Sequence, residues 1–282
     1  EGAGSLAAGH QANAIGADAI SMGAQALALG EGALSIGSAG SALGTNALAI
    51  GQGAVASGDF NTAVGGAYDG LVDGLPVQRT TTASGSGAAA FGAGAQAIGI
   101  NSLAVGTASS ADAQGTAVGF GAISSDGFGT AVGTYSHAQS EGTAIGYGAK
   151  ALLYGSTAVG WNAEATGLYS IAVGLGSRAT RWGALAIGDF ADAMGEGSIA
   201  IGEVAAGTGN ESVAIGSSAK ASSNGSVAFG ASAVAEAQGS VAIGASSLAD
   251  RANTVSVGRV GAERQIVNVA DATEGTDAVN KR

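Results

Sequence analysis

Apolar residues in this chain come in alternating threes, each group closed by glycine. From Ser198 to Gly216 the sequence reads SIAIGEVAAGTGNESVAIG, and the phrase of small residue, branched residue, alanine, branched residue and glycine returns after 14 positions. The closing glycines fall at Gly160, Gly174, Gly188, Gly202, Gly216, Gly230, Gly244 and Gly258 without a break. Upstream they stand at Gly92, Gly106, Gly119, Gly133 and Gly146, with two intervals shortened to 13. From Gly16 to Gly65 the glycines are 7 apart, so each unit is two related halves. Alternation within SVAIG is strand periodicity. A glycine every seventh residue would cost a helix about 1 kcal/mol each time, whereas a tight turn needs it. Two short strands and two turns make one coil of a flat solenoid, stacked in parallel on the next at about 4.8 Å. The intervals from Gly9 to Gly258 predict a rod of roughly 80 Å.

Parity assigns faces. In the coil from Ser212 to Gly225, Val213 and Ile215 share one face of the first strand, and Ser212 and Ala214 share the other. The second strand is set to place Ala219 and Ala221 opposite Val213 and Ile215, leaving Ser218, Lys220 and Ser222 in water. Large against small fills a thin interior. This assignment puts a column of alanines on the outer face: Ala131, Ala144, Ala158, Ala172, Ala186, Ala200, Ala214, Ala228 and Ala242. A smooth outer strip of that length predicts a covering partner, and the simplest is another copy in cyclic symmetry. Those nine alanines are therefore the expected interface between copies.

Composition narrows the class. There are 52 glycines, 1 proline and no cysteine among 282 residues, so neither disulfides nor thiolate metal sites exist. Collagen is excluded because glycine does not recur at every third position. The net charge is −11 with lysine and arginine scattered singly, which argues against nucleic acid and against docking on anionic lipid. Glycine interrupts every apolar run, so no segment is set to insert in a membrane. The opening EGAGSLAAGH has neither initiator methionine nor leader, which predicts a piece of a longer protein.

Three places break the pattern. Between Gly65 and Gly92 the interval is 27, and residues 66–87 hold the only proline with Tyr68, Asp69, Asp73 and Arg79. An insertion at a solenoid turn is either a ligand-carrying loop or a tolerated decoration. Aromatic residues concentrate from Phe120 to Phe190: Phe120, Tyr147 and Trp161 follow closing glycines, while Phe128, Tyr154, Tyr169 and Trp182 occupy the opposite turn. They are expected either to stack on one another or to form a patch for a partner. After Gly258 the glycine interval is lost, and Arg259, Glu263, Arg264 and Lys281 appear.

Catalytic equipment is sparse. His10 and His137 are the only histidines, and no G-x-S-x-G elbow or complete G-x-G-x-x-G occurs. No catalytic residue, metal site or cofactor is assigned. Thr116, Thr130, Thr143 and Thr157 form a rank of the kind an ice-binding face would use, but parity places them inward.

The repeat SVAIG with its alanine-rich second half resembles the head repeats of trimeric autotransporter adhesins, the YadA-like heads. The segment RQIVNVADATEGTDAVN, residues 264–280, resembles the neck that joins such heads to a coiled-coil stalk. The resemblance implies a left-handed parallel β-roll over residues 1–258 and a neck over 259–282, with three chains packed about an axis. It implies display outside a Gram-negative cell, held by a stalk and outer-membrane anchor. The implied partners are host cells or matrix proteins of the collagen, fibronectin or laminin class. The coils lack the leading Asn typical of the family phrase, and Asn224 lies one position too early. A purely structural spacer is the alternative role. Candidate ligand-surface residues are Tyr68, Asp69, Asp73, Arg79, Phe120, Tyr147, Trp161 and Trp182.

Overall fold

The computed structural model describes residues 2–280. Each coil contains a first strand of three residues, such as Ile199–Ile201, and in most coils a second of two, such as Lys220–Ala221. First strands align into one parallel sheet of 18, from Leu6–Ala8 to Val255–Ser256. Second strands form a facing parallel sheet from Asn13–Ala14 to Leu248–Ala249. Register is held residue for residue, with Ile187 beside Ile201 and Ile201 beside Ile215. No helix occurs among the described residues. The fold is an all-β parallel solenoid, as the 14-residue interval predicts.

In the second sheet Ala219 and Ala221 face inward and Lys220 outward, as expected, but in the first sheet the face that lies inside is the reverse of the sequence expectation. Ala131, Ala144, Ala158, Ala172, Ala186, Ala200, Ala214, Ala228 and Ala242 are all 0% exposed within a single chain, so they line the roll's own interior. They meet Ala219, Ala221 and their equivalents from the second sheet, together with the buried Ser198, Ser212, Ser226 and Ser240. Small residues from both walls therefore fill the cavity, and its largest fully buried side chains, Asn61 and Thr81, lie in the coil that carries the insertion. Val213 and Ile215, and their counterparts in every coil, point outward instead. The alanine column cannot be a surface between copies, because no copy can reach it.

Turns explain why the walls stand so close. Gly188 has φ +129°, and a Cβ there would fall 2.6 Å from the carbonyl of Gly202 in the next coil. Both the backbone conformation and the space require glycine. Two of the buried serines tie the opposite turn: Ser170 Oγ donates to the Gly167 carbonyl at 2.7 Å, and Ser198 Oγ to that of Gly195 at 2.8 Å. These bonds satisfy hydroxyls that would otherwise be orphaned in an apolar interior.

The insertion is an antiparallel hairpin, Tyr68–Val72 with Leu75–Arg79, replacing one turn. The chain rejoins the second sheet at Thr82–Ala83. At the C-terminal end, Arg264 folds back over the last coils. Its guanidinium donates to Ser247 Oγ and the Val257 carbonyl at 2.8 Å, and to the Ala245 carbonyl. Beyond it, residues 265–280 form no strand and are mostly exposed, and Lys281 lies outside the described residues.

Candidate functional site

Three outer surfaces carry the residues available for binding. The largest is the outward face of the first sheet. Two columns of side chains flank the buried alanines there, one through Ile171, Leu185, Ile199 and Val213, the other through Val173, Ile187, Ile201 and Ile215. Ile187 is 38% exposed and Phe229, in the same column, 54%. Burying such side chains is worth roughly 1.5–3 kcal/mol each, and the single chain leaves that gain unrealised. Thr116, Thr130, Thr143 and Thr157 sit in register in the first of these columns. The rank faces outward, not inward as parity had it, and gives way to apolar side chains at Ile171.

The second surface is the edge where the first sheet turns into the second. Phe120, Tyr147 and Trp161 are brought together there, and Tyr135, which sequence reading left out of the cluster, completes the row. Ring centroids lie 5.4 Å apart for Phe120–Tyr135, 5.8 Å for Tyr135–Tyr147 and 6.2 Å for Tyr147–Trp161. All three contacts are edge to face, the arrangement favoured by ring quadrupoles. Tyr135 could have been found from its place one residue later in the same turn. The hairpin extends the row: Tyr68 packs edge to face on Phe120 at 6.1 Å. A side chain at Gly94 would strike the Cβ of Tyr68, and one at Gly121 would strike Val72, so the hairpin lies along the edge over several coils.

Other hairpin residues serve the hairpin itself. Tyr68 Oη donates to the Leu71 carbonyl at 2.9 Å, and Asp69 accepts from Gln78 at 3.4 Å. Asp73 sits in the tip with φ +49°, and Arg79 pairs across the strands with Tyr68. Trp182 is not brought to this edge. It stands on the opposite edge, beside a shallow cavity of about 170 Å³ with Glu196, Asn210 and Glu211. Tyr154 and Tyr169 form their own edge-to-face pair on that side, 5.5 Å apart.

The outer face of the second sheet carries the third surface, a ladder of alternating charge. Lys150 lies 3.5 Å from Glu164, Arg178 lies 3.8 Å from Glu164, and Asp192 lies 3.7 Å from Arg178. Half-exposed pairs of this kind contribute about 0–1 kcal/mol each. One strand earlier, His137 is in register with Lys150, and its Nε2 lies 3.1 Å from Ser125 Oγ. Burial pushes its pKa down, reinforced by Lys150 and opposed by Asp126. Among the described residues, no group of three His, Asp or Glu side chains gathers to hold a metal.

Comparison with known proteins bears on this geometry. The YadA head domain repeat model matches at residues 1–26, 14–39, 42–66, 83–109, 97–115, 140–163, 154–177, 165–181, 183–202, 208–233 and 235–259, well over half of the chain. The chain belongs to the YadA head repeat family. The family is one of adhesins, so the solenoid is a head segment of adhesin type. No curated protein matches the chain. Among solved structures, the collagen-binding domain of the Yersinia adhesin YadA is 23% identical, covering 86% of this chain and 82% of that one, with a TM-score of 0.25. Most of the matched segments contain one or more coils, and none covers the hairpin between residues 66 and 83.

Proposed function

We propose that this chain is the head of a trimeric surface adhesin, binding host cells or matrix proteins of the collagen, fibronectin or laminin class without catalysing a reaction. One observation carries the reading. The interior is already filled by small side chains, yet two further columns of branched apolar residues run outward along the first sheet. A flat parallel sheet with such a face is an aggregation hazard unless covered. Closed symmetry lets identical copies cover one another without leaving a free end. In this reading residues 259–282 are the neck toward a stalk, and the head is held outside the outer membrane. Membership of the YadA head family supports the adhesive role, and the acidic, cysteine-free composition fits an extracellular setting.

Binding of the intact chain to immobilised collagen, fibronectin, laminin and serum albumin tests the role. Saturable retention on at least one matrix protein, and none on albumin, is expected. Equal and negligible retention on all four would return the segment to a structural spacer.

A further inference from the structure

A single strand of the first sheet departs from its neighbours in the sizes of its outward side chains. Among the described strands the first outward column holds Leu, Ile, Val or Thr in every one but Ala89–Phe91, where it drops to Ala89. The other outward column is mostly Val or Ile, and that same strand supplies one of its two phenylalanines, Phe91; the second is Phe229. Carbon missing from one column is thus made up in the other at the same level. Ala89 and Phe91 stand in register between Thr62 and Val64 on one side and Leu103 and Val105 on the other. Phe91 is 39% exposed, so its own chain does not absorb the ring. The strand is also firmly placed. Asn61 Nδ2 donates to the Ala83 carbonyl at 2.8 Å, and its Oδ1 accepts from the Ala88 N–H at 3.0 Å, where the chain re-enters the first sheet after the hairpin.

We propose that Phe91 of each copy seats over Ala89 of the next in the threefold head, a lock that holds the copies level. Rotation about an axis along the rod leaves height unchanged, so strands of the same level meet, the first column of one copy beside the other column of the next. There the wide Phe91 meets the shallow place at Ala89, and the layer keeps an even volume. Along such repetitive coils height is otherwise weakly specified. A slip of one coil, about 4.8 Å, would leave Ile201 against Leu185 or Val213 in place of Ile199, a change between branched side chains of similar size. The same slip would drive Phe91 against Leu103 with Ala89 facing Val64, or against Thr62 with Ala89 facing Val105. One position is then overfilled and the other left short. A slipped contact repeated around the axis cannot close, so rejecting it keeps the head from growing into open fibres.

The lock rests on the threefold reading of the head, and its test separates the two. Solution mass across a dilution series gives the association strength of the parent chain, of Ala89→Phe, of Phe91→Ala and of the variant carrying both changes. Circular dichroism checks that each is folded. Each single change is expected to weaken association on the order of tenfold or more, one by crowding the layer and the other by emptying it. The double variant keeps the summed size and is expected to recover most of that loss. The same three variants in chains separated by Ile187→Lys and Ile215→Lys distinguish contact between copies from contact within one. There the effects on the denaturant midpoint are expected to be additive. A double variant as weak as the two single losses combined, or single variants as strong as the parent, would overturn the lock. So would recovery that persists in the separated chains, because Ala89 and Phe91 would then compensate within one strand. A parent of threefold mass with no recovery in the double variant contradicts the lock alone, whereas a parent of one or two chains contradicts the threefold reading itself.

Discussion

Lysine at both Ile187 and Ile215 is expected to convert the assembled head into single chains while leaving each chain folded. The two positions stand in one outward column, two coils apart, with Ile201 between them. Within one chain the change is mild, since Ile187 is already 38% exposed on the outer face. In a threefold assembly the same substitutions bury six ammonium groups without partners. The effective penalty for an unpaired buried ion is several kcal/mol, so the summed cost exceeds what an interface of small increments recovers. Light scattering at micromolar concentration is the measurement, with circular dichroism as the check on folding. A variant that keeps the parent's mass would show that the branched columns are not covered by other copies.

Ala200→Leu is expected to be the most damaging single substitution in the roll, costing about 3 kcal/mol, the upper end for overpacking. Ala200 is 0% exposed and lies between Ala186 and Ala214 in register, with the second sheet directly opposite. Added carbons there have backbone on both sides and no cavity to enter. Ile201→Leu, one residue away on the outer face, keeps volume and is expected to cost less than 1.5 kcal/mol. Denaturant midpoints of the two variants give the comparison. Equal midpoints would place the alanine column outside the core.

That contrast also marks where sequence reading stopped. Coil length, parallel stacking, the turn glycines and the break at residues 66–87 were all legible, because period and glycine chemistry leave few alternatives. The direction of the first strand was not. Alternation states that Ala214 and Val213 face opposite ways without saying which is in, and the usual preference for burying branched residues decided wrongly. Two signals pointed the other way. Lys220 cannot lie inside, which fixes Ala219 and Ala221 as the second sheet's inner wall. Size tolerance fixes the first sheet: the inner column admits only alanine or serine, as at Ser21 and Ser35, while the outer column ranges from Val173 to Met22, Phe91 and Phe229. A rigid cavity holds residue size constant, and a surface met by another chain accommodates variation.

The aromatic edge was partly legible for a related reason. Shared turn positions predicted Phe120, Tyr147 and Trp161 on one side and Trp182 on the other. Tyr135 and the contact with Tyr68 depend on a neighbouring position in the turn and on the path of the hairpin, which periodicity does not encode.

Because the chain has no cysteine, thiol labelling of single-cysteine variants reads each face separately under native conditions. Lys220→Cys, on the outer second sheet, is predicted to react rapidly, and Ala200→Cys to react only on unfolding. Ile201→Cys decides the matter: slow reaction in the intact head and fast reaction once Ile187→Lys and Ile215→Lys are added is the predicted result. Reaction of Ile201→Cys as fast as Lys220→Cys in the unaltered head would mean the branched column is bare, contradicting an assembly built on it.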